Sequence, residues 1–386
     1  MMRSTHRILT THAGSLPRPD DLRALVTAKA GGQPYAEDAL ARRVRSAVAE
    51  VVRQQVESGI DSVNDGELSK PSFTTYVRER LGGIEVREPK PGEGSRVQLI
   101  YGRDAEQFPE YFAARTFFGA GQRPVFCTGP IHYIGIGAAA VRADIETFRA
   151  ALEGVRVEEA FLPAVAPGTI EHWLRNEYYP SDEAYLYAIA DAVHEEYEAI
   201  VEAGFVLQID DPDLADAWQI HPKMNVPEYR RFAELRLDAL NHALRDLPID
   251  RVRLHVCWGS YHGPHRYDIP LRDIVDLVLK VRAGAYSIEA SNPCHQHEWR
   301  VWEDVKLPPG KILVAGVVGH YSDFIEHPDL VAERLVTYAR LVGRENVIAG
   351  TDCGLGTRVG HPSITWAKFQ AMAEGARLAT TQLWRS

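Results

Sequence analysis

No run of about eighteen or more consecutive apolar residues occurs in this 386-residue chain, so no membrane-spanning helix is expected. The opening segment MMRSTHRILTTH lacks the apolar core of a secretory signal, and a cytoplasmic protein is the resulting expectation. Cysteine is scarce: the four residues Cys127, Cys257, Cys294 and Cys353 stand far apart with no Cys-x-x-Cys pair, which excludes a disulfide framework and a compact zinc knuckle. Basic residues are outnumbered, 43 Lys and Arg against 53 Asp and Glu, and the formal charge of −10 argues against nucleic acid or an anionic membrane as partner. Nor does a GxGxxG follow any apolar run, so a dinucleotide crevice has no sequence support.

What is present is an alternation of short β-rich runs with amphipathic stretches, in a chain that is 45% hydrophobic and 25% charged. Candidate strands are 8–15, 59–67, 123–130, 159–167, 205–210, 251–257, 285–290, 311–318 and 346–352. Between them AEDALARRVRSAVAEVVRQQVESG, EAYLYAIADAVHEEYEAIVEAG and HPDLVAERLVTYARLVG repeat apolar residues at three and four and end in Gly, a helix stop. Strand, helix, strand repeated about eight times predicts an α/β fold, a (β/α)8 TIM barrel forming one domain over 1–386. An open doubly wound sheet is the competing architecture. Nine candidates for eight places leave one surplus; EAFLPAVAP (159–167) is the one set aside, because GTIEHWLRNEYYPSD after it reads as a lid-like loop. The segment 86–123 has weak periodicity and reads as an excursion, a small hairpin over the barrel mouth.

Four residues at the ends of strand-like runs carry a chemistry. His255 and Cys257 lie two apart on RVRLHVC and point to one face of a strand; Glu289 closes AYSIE, and Cys353 follows NVIAGTD. Imidazole, two thiolates and a carboxylate make a tetrahedral zinc (Zn2+) set with about one surplus negative charge, a poor Lewis acid toward carbonyls but a good carrier of a thiolate. A substrate thiol entering that sphere in place of the Glu289 carboxylate would lose its proton well below its free pKa of about 8.5. Each residue alone also reads as an ordinary buried strand side chain. Cys127 reads as a core thiol and Cys294 as a loop thiol near the site.

Several separated motifs stand in order: TTHAGSLPRP from Thr10, NDGE ending at Glu67, TGP at Thr128, LQIDDPD from Leu207, HVC at His255, SIEAS around Glu289 and GTDCGLGTR from Gly350. With them the chain resembles the catalytic half of the cobalamin-independent methionine synthase superfamily, over nearly its whole length. PGTIEHWLRNEYYPSDEAYLYAIA from Pro167 and HVCWGSYHGPH are similar to a shorter single-barrel branch that includes epoxyalkane:coenzyme M transferases. The resemblance implies that His255, Cys257, Glu289 and Cys353 bind the catalytic zinc. It also implies that Gly14 and Ser15 hold the backbone of an amino-acid thiol, and that Glu67 and Asp210 meet its amino group. Two acids at neighbouring strand ends suit an ammonium, although they also read as framework acids. There are three departures. No second, amino-terminal barrel is expected within these 386 residues; Tyr321, beside His320, stands where the family has a proton-donating histidine; and Asp211 replaces Glu. All three bear on the folate donor and leave the zinc and the thiol untouched.

The expected activity is therefore alkyl transfer to a thiol, similar to 5-methyltetrahydropteroyltriglutamate–homocysteine methyl transfer in methionine biosynthesis. Methyl-folate or methylcobalamin is the donor, and the alternative is opening of an epoxide by coenzyme M or another thiol. Epoxide opening needs an acid for the alkoxide, and Tyr321, His320 and His262 are nominated by position, each equally readable as a packing or surface residue. Lys70, Arg18 and Arg358 could bind an anionic group or form surface salt bridges. Trp173, Trp258 and Tyr178 could wall water from the reacting carbon. A second class is a zinc, thiol or corrinoid-binding barrel without turnover, or a metal-independent relative; two thiolates in one set argue against both.

Overall fold

The computed structural model describes residues 1–88, 101–114 and 124–385. Its strands are β1 (Leu9–Thr10), β2 (Ser62–Val63), β3 (Leu81–Val86), β4 (Val125–Tyr133), β5 (Glu159–Val165), β6 (Leu174–Asn176), β7 (Val206–Asp210), β8 (Val252–Val256), β9 (Ala285–Glu289), β10 (Ile312–Val318) and β11 (Val347–Thr351). Eight of them form one sheet in the order β1-β11-β10-β9-β8-β7-β5-β2, every pairing parallel. The sheet curls almost shut. Asp61 spans the seam: its N–H donates to Thr10 O at 3.1 Å and its carboxylate accepts from Thr10 N at 2.9 Å. The predicted α/β barrel is the observed architecture.

Helices cover the outside because one face of each is apolar. The helix Glu37–Glu57 buries Val48, Val51, Val52 and Gln55, and the helix Pro362–Leu383 buries Phe369, Met372, Ala376 and Ala379. Their ends carry local signals: Ser181 caps Asp182–Glu202, and Asn225 with Glu228 forms a capping box at Val226–Ala243. Among the described residues no helix is long and apolar enough to cross a membrane.

Two strand assignments exchange places. The run at 159–167, set aside as surplus, is β5 and pairs with β7 from Phe161↔Val206 to Val165↔Asp210. Its proline is tolerated because β2 pairs only with Glu159 and Ala160, so Pro163 lies past the end of that partner. The run at 123–130, expected in the barrel, instead belongs to a three-stranded sheet β3-β4-β6. Gly83 makes this possible: at φ +79° it lets β3 bulge against β4, where a Cβ would stand 2.3 Å from Pro130 O. No periodicity distinguishes a short apolar run that joins a barrel from one that pairs beside it.

The expected lid at 168–182 is likewise ordered framework, a helix Pro167–Trp173 followed by β6. Of the expected hairpin at 86–123, residues 89–100 and 115–123 lie outside the described residues. The described part is helical, Gly102–Gln107 and Pro109–Ala113, and docks through Arg103, whose guanidinium lies 3.4 Å over the Trp218 ring.

Candidate active site and metal centre

Parallel strands deliver their last residues to one end of a barrel, where active sites of this architecture lie. His255 stands on β8, buried, with Nδ1 3.3 Å from Ser287 Oγ, while Nε2 has no hydrogen-bond partner. Cys257 follows the same strand, Cys353 follows β11, and their sulfurs lie 3.9 Å apart. One donor atom from each of the three residues falls within 4.8 Å of the others. A buried orphan imidazole nitrogen facing two sulfurs fits a soft divalent cation, so this donor set suits zinc.

Glu289, the fourth expected ligand, lies beside this cluster rather than within it. Its carboxylate accepts from Trp258 N at 2.9 Å and from Asn292 Nδ2, with Tyr321 Oη 3.4 Å from both oxygens. Burial, followed by the charge of Asp352, pushes its carboxyl well above the usual range. In the thiol pair, hydrogen bonding from Cys257 outweighs burial and, with the neighbouring His255 imidazole, favours the Cys353 thiolate, whose pKa falls well below normal. Burial disfavours charge on His255, yet the Cys353 thiolate outweighs it and raises that pKa.

Above the cluster opens a cavity of about 550 Å³. Glu67, Asp210, Lys70, Ser15, Arg18, Arg358 and Trp173 line it together with His255, Cys257 and Cys353. Burial and then Asp210 raise Glu67 to about 8; burial raises Asp210 to about 6 against the opposing pull of His255. Gly14 is dictated by this geometry. At φ +129° a Cβ there would sit 2.7 Å from Glu67 Oε1. Ser15 is wedged under Gly354 and Gly356, where any Cβ would meet it at 2.7 and 2.6 Å. Lys70 Nζ donates to Pro163 O and lies 4.4 Å over the Tyr76 ring.

Other expected residues stand elsewhere. His262 is exposed and does not line the cavity. His320 is fully buried with neither ring nitrogen hydrogen-bonded, packed 3.8 Å from Tyr321, and burial lowers it to about 4. Tyr321 donates to Gly259 O at 2.7 Å; neither residue lines the cavity. Trp258 is core, stacked on His295, and Tyr178 is 52% exposed. Arg18 does line the cavity, but it spends its guanidinium on the carbonyls of Glu67, Leu68 and Lys70. Cys127 is buried in β4, and Cys294 lies outside the cavity lining.

The catalytic-domain model of the cobalamin-independent synthases matches residues 135–377. This chain belongs to the cobalamin-independent methionine synthase family. It is 24% identical over 376 residues to the methionine synthase of Sulfurisphaera tokodaii, covering 97% of this chain and 93% of that one. With the methionine synthase of Sulfolobus acidocaldarius it shares 26% over 349 residues, covering 90% and 85%. The fold is similar to a B12-independent methionine synthase of Shewanella sp. W3-18-1 solved with selenomethionine, at TM-score 0.73 and 20% identity over 98% of this chain and 99% of that one. Membership makes the chain an enzyme of the methyltransferase type.

In this methionine-synthase-like site, several contributors escaped the sequence reading. Asp216 lines the cavity with Oδ1 lacking a hydrogen-bond partner, and burial followed by Asp213 raises its carboxyl far above normal. Tyr101 and Tyr261, ring centroids 4.2 Å apart, close one wall. Tyr101 comes from a segment without periodicity, so nothing in its neighbourhood signalled it. Asp216 had a signal, an acid three residues after Asp213 at helical spacing, but such pairs usually face solvent.

Proposed function

We propose that this protein is a zinc-dependent methyltransferase that alkylates an amino-acid thiol, homocysteine being the acceptor that fits best. The observation that carries the reading is the juxtaposition of a His-Cys-Cys cluster with two buried carboxyls on the wall of one cavity. His255, Cys257 and Cys353 would hold the ion, with Glu289 contributing from alongside. When bound, zinc lowers the pKa of a thiol from its free value of about 8.5, so that sulfur is nucleophilic near neutrality.

The rest of the work falls to the chain itself. Glu67 and Asp210 receive the ammonium, and its arrival reverses their raised pKa values, because a cation favours the charged form of both acids. Ser15 and Lys70 border the same space and suit the substrate carboxylate. Trp173, Tyr101 and Tyr261 present flat apolar surface for the methyl donor, and the Asp216 carboxyl, which burial pushes toward its protonated form, would donate a hydrogen bond to it. Methyl-folate and methylcobalamin are both donors of this kind.

Epoxide opening by a sulfonate thiol is the lesser reading. An ammonium favours the charged form of the two carboxyls beside the cluster, whereas a sulfonate gains nothing from them, and Arg18 is already engaged with backbone carbonyls. The deciding experiment measures metal by mass spectrometry and thiol consumption with homocysteine or coenzyme M, each against methyl-tetrahydrofolate, methylcobalamin and epoxypropane. About one zinc per chain with homocysteine methylation supports the proposal. Zinc without turnover of any donor would leave a binding barrel, and absence of zinc would overturn the metal reading.

A further inference from the structure

Beneath the cavity, the barrel interior contains a guanidinium that no carboxylate pairs among the described residues. Arg253, on β8, is 3% exposed and lies 3.9 Å over the Phe161 ring. All its hydrogen bonds run to neutral acceptors. Nε donates to Gln208 Oε1 at 2.8 Å and Nη2 to the same oxygen; Nη1 reaches Thr11 Oγ1 at 3.0 Å, and Nη2 also reaches His12 O at 3.2 Å. A buried cation whose carboxylate neighbours, Glu159 and Asp210, act on it only through space is costly, so a framework role alone does not account for it.

Its effect on Gln208 has one outcome. An amide has an acceptor end and a donor end, and two guanidinium N–H groups fix the oxygen toward Arg253. The NH2 end then faces the site and donates to Ala13 O at 2.6 Å and to Asp210 Oδ1 at 2.7 Å. If the amide flipped, its NH2 would oppose the guanidinium and its oxygen would oppose a carboxylate. A cation on the oxygen also polarises the amide and strengthens both donated bonds. One side chain thus ties the segment before Gly14 to the carboxylate that closes β7, and Asn64 Nδ2 holds Gly14 O from the other side at 3.1 Å.

We infer that Arg253 is a positioning residue for the amino group of the thiol substrate, acting through Gln208 on Asp210 and on the Ala13–Gly14 backbone. The inference rests on the reading that Glu67 and Asp210 receive an ammonium. Arg253 never meets the substrate. It fixes which carboxylate oxygen of Asp210 is occupied and which is left for the ligand.

The test is calorimetric titration of the zinc-loaded protein with homocysteine and with 4-mercaptobutyrate, which has the same thiol and carboxylate but no amino group. Arg253→Met and Gln208→Leu should each weaken homocysteine by about ten-fold, the scale of one hydrogen bond to a charged group. Affinity for 4-mercaptobutyrate should change less than about two-fold, and the double variant should be no weaker than either single, because the two residues act in series. Equal losses for both thiols, or multiplying losses in the double variant, would overturn the inference. If the unaltered protein shows no preference for homocysteine, the amino-group reading itself fails. Should Arg253→Met not fold, Arg253→Lys keeps the buried charge without the two-pronged grip and is expected to show the same selective loss.

Discussion

Cys257 and Cys353 are 96 residues apart in the chain, yet their sulfurs lie 3.9 Å from each other above strands that are not neighbours in the sheet. Curling the sheet into a barrel brings them together, so the cluster reports on closure as well as on chemistry. Cys353→Ala is expected to reduce bound zinc from about one per chain to a small fraction, measured by mass spectrometry. The circular dichroism spectrum should persist, since the barrel core supplies the stability.

Glu289 occupies a different position from the thiols, and its variants should behave differently. Its oxygens are already engaged by Trp258 N and Asn292 Nδ2. Glu289→Gln is expected to lower zinc affinity by about ten- to a hundred-fold, the range for groups that support a metal site from alongside. Competition with a chromophoric chelator measures it. A loss as complete as that of Cys353→Ala would make Glu289 an equal member of the set.

Gly14→Ala meets two obstacles, the backbone at φ +129° and Glu67 Oε1 at 2.7 Å. Denaturant unfolding is expected to show a loss of about 1–3 kcal/mol from the strained backbone. The displaced Glu67 carboxylate should weaken homocysteine more than 4-mercaptobutyrate.

The pH dependence of stability follows from Glu67. Its carboxyl is raised from 4.5 to about 8, mainly by burial. Between those values the folded chain holds a proton that the unfolded chain has lost, so the stabilisation is complete at the acid end and declines as pH rises toward about 8. Without thiol, Glu67→Gln should therefore melt higher than the parent near pH 8 and about equally near pH 4.5. A parent whose melting point does not fall over that range, or a variant with no advantage at pH 8, would contradict the assignment.

Much of this was legible in the chain because it is local. The helix over 328–342 announced itself by its apolar spacing and by Gly343 at its end, and β8 and β11 by short apolar runs bounded by polar loops. His255 and Cys257 were readable as a pair because a strand turns alternate residues to one face. The exchange of 123–130 for 159–167 in the barrel was not readable. Both are short apolar runs, and only Gly83 and the pairing of β3 with β4 decide which one leaves the sheet.

The placement of His320 and Tyr321 was equally hidden. Position along the chain nominated them as acids for the expected metal site, whereas packing left both outside the cavity lining, with Tyr321 donating to Gly259 O. Gln208 and Arg253 meet only in the interior of the barrel, where the guanidinium donates to the amide oxygen.

By itself, the order of residues determined the period of each element, the repeated strand and helix that make a barrel, and which donor atoms stand at strand ends. Tertiary structure alone decided which strands close the barrel, that three of the four expected ligands converge while Glu289 stands aside, and that a buried guanidinium turns one amide toward Asp210. The physical reason is range: propensity and periodicity act over a few residues, but convergence and amide orientation depend on groups that meet only after the sheet has curled shut.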